Sequence, residues 1–275
     1  MTGEPANGWH WREWGAELAG TGVLMFAVVT AKDWAVQAGQ PFADLHWRIA
    51  IVAVVAGLAV VAVALSPLGR RSGAHLNPAV TLGLWWQHAV GRADLSGYVV
   101  AQTVGGVLGI AAGRAWGEDI SAPPVRWALI SPSPTLPLML GVAIEAVATF
   151  VQLALVFWLL LDKRTAPWTA PAAGAMLTVS IVALATTTGA AFNPVRGLAP
   201  DLLASAYPGI WIYLVGPLIG GSMAGLLVRT VATPERPVTA KLRHDPEVPC
   251  YLACRLPHRP TGAHPTTSPA REEVS

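Results

Sequence analysis

Gly73-Ala74-His75-Leu76-Asn77-Pro78 returns 116 residues later as Gly189-Ala190-Ala191-Phe192-Asn193-Pro194, and this echo decides how the chain is read. Two more landmarks recur in the same order. Glu17-Leu-Ala-Gly-Thr21 is matched by Glu145-Ala-Val-Ala-Thr149, and Gly105-Gly106 by Gly220-Gly221. In each motif Asn is a favourable N-cap, and Pro suits the first helical position because it lacks the N–H that would be unpaired there. Both motifs read as abrupt helix starts. The apolar stretches behind them, 79–87 and 195–204, are too short to cross a bilayer, which takes about 20 residues.

Composition sets the environment. The 275 residues are 53% hydrophobic and only 12% charged, with a mean hydropathy of +0.48. Soluble domains carry about 25% charge, so an ordinary soluble enzyme and a largely disordered chain are both excluded. A net charge of +2 offers nothing to a nucleic acid. Six apolar runs are long enough to span: 13–31, 48–66, 95–115, 137–161, 168–188 and 209–229. Three spans per half turn the second half upside down relative to the first. The expected fold is an all-α membrane protein, six transmembrane helices plus two re-entrant half-helices in an inverted 3+3 repeat. Residues 1–12 form a cytoplasmic segment, and 13–230 the channel-like domain, with repeats over about 13–115 and 137–230. The Pro-rich stretch 231–275 reads as a disordered cytoplasmic tail. With the N-terminus inside, thirteen Lys and Arg fall inside and five outside, which favours cytoplasmic termini.

Two half-helices entering from opposite sides bring two positive dipole ends together at the midplane. Asn77 and Asn193 cap them and keep N–H donors for a passing oxygen. Such a site accepts neutral molecules and repels cations. The carbonyls of Gly73, Ala74 and His75, and of Gly189, Ala190 and Ala191, form a candidate ladder of acceptors for solute hydroxyls. Arg196 lies in the first turn of the second half-helix, where a buried cation is costly and therefore functional.

Ser72-Gly-Ala-His-Leu-Asn-Pro-Ala-Val-Thr81 resembles the first signature loop of the major intrinsic protein family, the aquaporins and aquaglyceroporins, and Asn193-Pro-Val-Arg196 the second. Ala101-Gln102 with Gly105, Gly106 and Gly109, and Trp211–Pro217, resemble the family's third and sixth spans. The resemblance implies one pore per subunit of a homotetramer in the plasma membrane. It places Asn77, Pro78, Ala79, Asn193, Pro194 and Val195 at the pore midplane. Val195 replaces the family's usual Ala and is expected to narrow or stiffen the midplane slightly. Glu17 and Glu145 are implied to fasten the re-entrant loops rather than to relay protons.

Family spacing also locates a second constriction. Counting back twenty residues from Asn77 lands on Gly57, or on Ala56 if the register slips by one, and twelve back from Asn193 lands on Ile181. Ala190 and Arg196 complete the ring. Gly, Ile, Ala and Arg make a wide, mostly apolar filter, similar to that of plant intrinsic proteins carrying boric, silicic or arsenous acid. The implied function is passive passage of small uncharged solutes, glycerol or metalloid acids, together with water. A water-selective aquaporin and an ion-coupled secondary transporter are the alternatives, since inverted repeats serve transporters too.

No Gly-x-Ser-x-Gly and no His-Glu-x-x-His is present, so no enzyme is expected. No cofactor or metal is expected either. Cys250 and Cys254, with His244, His258 and His264 nearby, carry soft ligands, but their spacing is not that of a zinc site. Trp34, Trp47, Trp85, Trp86, Trp127 and Trp168 read as interface anchors.

Overall fold

The computed structural model describes residues 8–36, 44–231 and 237–257. Its helices are α1 (Trp11–Val36), α2 (Leu45–Leu65), α3 (Pro67–Ser72), α4 (Pro78–Trp86), α5 (Arg92–Ala111), α6 (Leu138–Leu159), α7 (Thr169–Leu184), α8 (Pro194–Ala204) and α9 (Ile210–Val231). Among the described residues six helical stretches are long and apolar enough to cross a membrane: Trp11–Val36, Leu45–Leu65, Arg92–Trp116, Leu138–Leu159, Ala166–Leu184 and Ile210–Val231. The two short helices α4 and α8 follow the Asn-Pro motifs, as the repeat requires. The chain is an all-helical, multi-pass membrane protein. One face of the molecule, here the terminal face, carries the start of α1 and the end of α9.

Contacts follow the repeat. α1 packs on α5 as α6 packs on α9, and α2 packs on α7 across the two halves. Small residues permit these approaches, as in other membrane helix pairs. A methyl on Gly105 would meet the Leu18 carbonyl oxygen, and one on Gly220 the Ala146 carbonyl oxygen, at matched places in the two halves. Between halves, Gly57 and Gly174 face each other so closely that a Cβ on either would strike the other's carbonyl oxygen. Large apolar side chains such as Leu58, Val100, Val147 and Val179 remain exposed on the outer faces, as lipid contact demands.

Two expectations are corrected here. Trp127 is buried, with the Arg114 guanidinium 5.2 Å from its ring, rather than exposed at a span end. Residues 237–257 do not form a structureless tail. Val238 N–H donates to the Leu160 carbonyl (2.8 Å), and Ala253 N–H to that of Ala89 (2.9 Å). Thr239, Ala240, Lys241, Leu242, Leu252 and Ala253 are all buried. Local composition misled because these partners lie far away in the sequence.

Candidate functional site

Each Asn-Pro motif does two jobs. Asn77 Oδ1 accepts the Ala79 N–H at 2.8 Å, and Asn193 Oδ1 accepts the Val195 N–H at 2.9 Å, capping α4 and α8. Each Asn amide then donates across the midplane to the other half. Asn77 Nδ2 reaches the Phe192 carbonyl (2.9 Å), and Asn193 Nδ2 the Leu76 carbonyl (2.8 Å). An amide nitrogen carries two hydrogens, so each Asn retains one donor for a solute. Both Asn side chains line a cavity of about 700 Å³.

The loops leading into the motifs are held by buried carboxylates. Glu17 accepts from Ser72 Oγ (2.6 Å), His75 N (3.0 Å), Leu76 N (2.8 Å) and Gln102 Nε2 (2.8 Å). Glu145 accepts from Thr188 Oγ1 (2.6 Å), Ala191 N (3.1 Å) and Phe192 N (2.7 Å). Both side chains are fully buried. The loop backbone alternates into left-handed conformation, at Gly73, Ala74 and Leu76 in one half and at Gly189, Ala190 and Phe192 in the other. For a residue other than Gly this costs on the order of 1–3 kcal/mol and persists only where surroundings enforce it. The carboxylates supply that enforcement by gathering successive N–H groups on one side. Tyr98 and Tyr213 complete the clamp, donating to the carbonyls of Ser72 (2.6 Å) and Thr188 (2.7 Å). Sequence reasoning missed this pair, although its offset of 115 matches that of the glycine pairs.

Of the proposed ladder, His75, Gly189, Ala190 and Ala191 line the cavity. Gly73 and Ala74 do not, and the Gly73 carbonyl already accepts the Leu242 N–H at 3.0 Å. Pro78, Ala79, Pro194 and Val195 also lie off the cavity wall, starting and packing the half-helices. Val195 does not narrow the midplane. Its Cγ1 occupies the space where a methyl on Gly106 would stand.

The outer constriction needs a similar correction. Ala56, Ile181, Ala190 and Arg196 line the cavity, whereas Gly57 does not. A methyl on Gly57 would meet Thr178 Oγ1 and the Gly174 carbonyl oxygen, so that position is committed to the α2–α7 contact. Ala56, one step round the helix, takes the wall, with Ile49, Val52 and Val60 at helical spacing along the same stripe. Between this wall and the loop, Ser66 ends α2 and caps a separate short helix, Pro67–Ser72.

Arg196 Nη1 donates to the Ala128 carbonyl at 3.0 Å, and Lys32 Nζ to the adjacent Leu129 carbonyl at 2.7 Å. Residues 126–128 run left-handed in succession, and this turn presents the two carbonyls. Lys32 and Arg48 join Arg196 on the wall, and among the described residues no carboxylate lines the cavity. That positive mouth was legible only as scattered charges. Gln152 and Thr149, one turn apart on α6, were overlooked. Both line the cavity, and Gln152 Nε2 and Thr149 Oγ1 are buried without a protein partner. They are polar groups left for whatever fills the pore.

Among the described residues no group of His, Cys, Asp and Glu could hold a metal ion. Cys254 Sγ lies 3.4 Å from His244 Nδ1. The neighbouring Cys250 thiol, and then His244, pull the Cys254 thiol down to about 3, while Cys250 moves upward. A lowered thiol pKa keeps the thiolate at acid pH. Iodoacetamide at pH 5 is therefore expected to modify Cys254 ahead of Cys250, as peptide mass spectrometry reads directly. His258 and His264 lie outside the described residues.

The chain is similar to known proteins in both sequence and fold. The chain is 34% identical over 223 residues to Aquaporin NIP3-1 of Oryza sativa subsp. japonica, covering 80% of this chain and 67% of that protein. It is 28% identical over 231 residues to Glycerol uptake facilitator protein-like 6 of Lactiplantibacillus plantarum, covering 81% and 99% respectively. Among solved structures, the aquaglyceroporin from Plasmodium falciparum shares the fold, with a TM-score of 0.68 at 22% identity, over 82% of this chain and 97% of that one. The family profile described as Major intrinsic protein matches residues 6–228. Two interlocked Asn-Pro half-helices, carried on an inverted repeat that this profile spans almost end to end, settle the matter: the chain belongs to the major intrinsic protein family.

Proposed function

We propose that the protein is a passive channel for small uncharged, hydroxyl-bearing solutes, glycerol or a metalloid acid such as boric or arsenous acid, with water passing as well. The observation that carries this is the ring of Ala56, Ile181, Ala190 and Arg196 on the cavity wall. Three small or aliphatic residues and one cation leave room for a branched polyol and give it one strong donor. Gln152, Thr149 and the two Asn amides continue the polar track. The relatives named as aquaporins and as a glycerol uptake facilitator support water and glycerol as cargo.

The test is stopped-flow permeability of proteoliposomes to water, glycerol, urea and boric acid, with and without an ion gradient. The channel reading expects solute flux above empty liposomes, linear in concentration and indifferent to the gradient. Flux of water alone would leave a water-selective aquaporin, and uptake that collapses with the gradient would indicate a coupled transporter.

Ion exclusion belongs to the midplane. Two helix N-termini and two Asn donors face one point, so a cation meets positive potential wherever it sits. Asn77→Asp or Asn193→Asp places a carboxylate there. Proton or cation leak is expected to rise on the order of tenfold or more, because a unit charge at that depth shifts an ion's barrier by more than about 1.4 kcal/mol. A folded variant that excludes protons as tightly as the wild type would refute the dipole-and-donor account.

Assembly as a homotetramer in the plasma membrane, with both termini cytoplasmic, completes the reading. The exposed apolar faces of α2 and α7 supply surface for neighbouring subunits and lipid, and the excess of Lys and Arg on the terminal face supports the orientation.

A further inference from the structure

The cavity wall on the terminal face includes Val60, His75, Val156 and Ala173, all from the channel domain, and one residue that is not. Leu242 comes from the segment that follows α9. It is only 4% exposed, and its N–H occupies the Gly73 carbonyl. In the other half the equivalent residue, Gly189, lines the cavity. The two ends of the inverted repeat thus differ: on the terminal face a residue from outside the repeat lines the cavity and covers the loop before Asn77.

The cover is fastened by polar groups that the channel would otherwise leave unpaired. His75 Nε2 lies 2.9 Å from the Ala240 carbonyl, and a carbonyl only accepts, so this nitrogen carries the proton. Lys241, 1% exposed, donates from Nζ to the carbonyls of Arg70 (2.8 Å) and Pro249 (3.4 Å). Arg70 in turn pairs with Asp245 at 3.3 Å. A buried ammonium satisfied largely by main-chain carbonyls is a costly arrangement for a segment with no task.

We propose that residues 237–257 are an autoinhibitory plug: Leu242 seats in the terminal-face mouth of the pore, Lys241 and Ala240 bolt it to the loop before Asn77, and solute flux requires the segment to lift. The proposal rests on the channel reading above and adds that the chain as folded here is the closed state. Gating acts at the mouth rather than at the midplane, where each Asn amide keeps its bond to the opposite half with the segment in place.

The experiment uses the full chain in proteoliposomes, comparing wild type with Leu242→Asp, Leu242→Ala and Lys241→Ala. None of these positions belongs to the six spans or the two half-helices, so the channel domain keeps its own contacts. Removing a buried Leu or the Lys bolt moves the closed-to-open balance by about tenfold, from the usual worth of a buried aliphatic side chain. Glycerol permeability is expected to rise at least fivefold in Leu242→Asp, and less in Leu242→Ala and Lys241→Ala, with the order of solutes unchanged. Maleimide labelling of Cys250 and Cys254 is expected to quicken in parallel. Wild-type permeability within a factor of two of all three variants overturns the plug. If no version of the chain exceeds empty liposomes, the channel reading itself falls and the plug falls with it.

Discussion

Ala56→Trp is expected to lower glycerol and boric acid permeability at least about tenfold while reducing water permeability far less, each factor of ten being about 1.4 kcal/mol of added barrier. Ala56 shares the cavity wall with Ile181, Ala190 and Arg196. A bulky ring there fills the space through which a branched solute would pass, whereas water still threads a narrow gap in single file. Gly57→Trp is the informative control. Gly57 abuts Gly174 and Thr178 rather than the pore. Any side chain there forces α2 from α7, and the expected result is lost thermal stability, about 1–3 kcal/mol or more for overpacking, without a selective loss of the larger solutes. Selectivity that follows Gly57 and ignores Ala56 would show that the wall is built the other way round. Stopped-flow ratios of solute to water, measured on folded protein, decide between them.

Glu145→Gln is expected to remove about 3 kcal/mol or more of stability and to abolish most solute flux. The carboxylate uses one oxygen for Thr188 Oγ1 and Ala191 N and the other for Phe192 N. Gln keeps one acceptor and turns an NH2 group toward donors, so at least one buried N–H loses its partner. Bonds to a charged group are worth about 1.5–3 kcal/mol each, and an orphaned buried donor costs a similar amount. Phe192 and Ala190 hold left-handed backbone only while that grip lasts. Glu17→Gln should be at least as damaging, since Glu17 accepts four bonds, one of them from Gln102 of α5. Thermal unfolding in detergent and permeability of the surviving protein provide the check. Unchanged unfolding with altered proton flux would instead favour the relay role for these carboxylates.

The half-helices were legible because their signal is local: an N-cap followed by Pro at each of two matched sites. The spans were legible for a similar reason, length and apolarity within one window. The filter register was not, because it depends on which side of α2 turns toward α7. Gly57 packs on Gly174 and Thr178, and a fixed count back from Asn77 carries no record of that contact. The mouth cover was hidden for a different reason. Pro-rich, mixed-charge sequence lacks a hydrophobic period, yet Ala240 and Lys241 find His75 and Arg70, 165 and 171 residues away. The clamp tyrosines stood in plain view at an offset of 115, but a lone Tyr in an apolar run reads as packing until its carbonyl partner is seen.

The reciprocal Asn bonds have a consequence for how the chain is made. Asn77 finds its acceptor 115 residues further on, at Phe192, and Asn193 finds its own 117 residues back, at Leu76. When the first three spans have left the ribosome, their half-helix has a cap but no mate. An amide donor and the Leu76 carbonyl then wait in the membrane without the groups they are built for, and bare polar groups at that depth are costly. The first half must therefore stay loose, or hydrated, until α8 arrives. Final closure is a late event, joined across a loop of 115 to 117 residues. A fragment ending before residue 189 would insert its spans yet leave the re-entrant loop unlocked, and the two halves supplied as separate chains would regain the lock only on meeting.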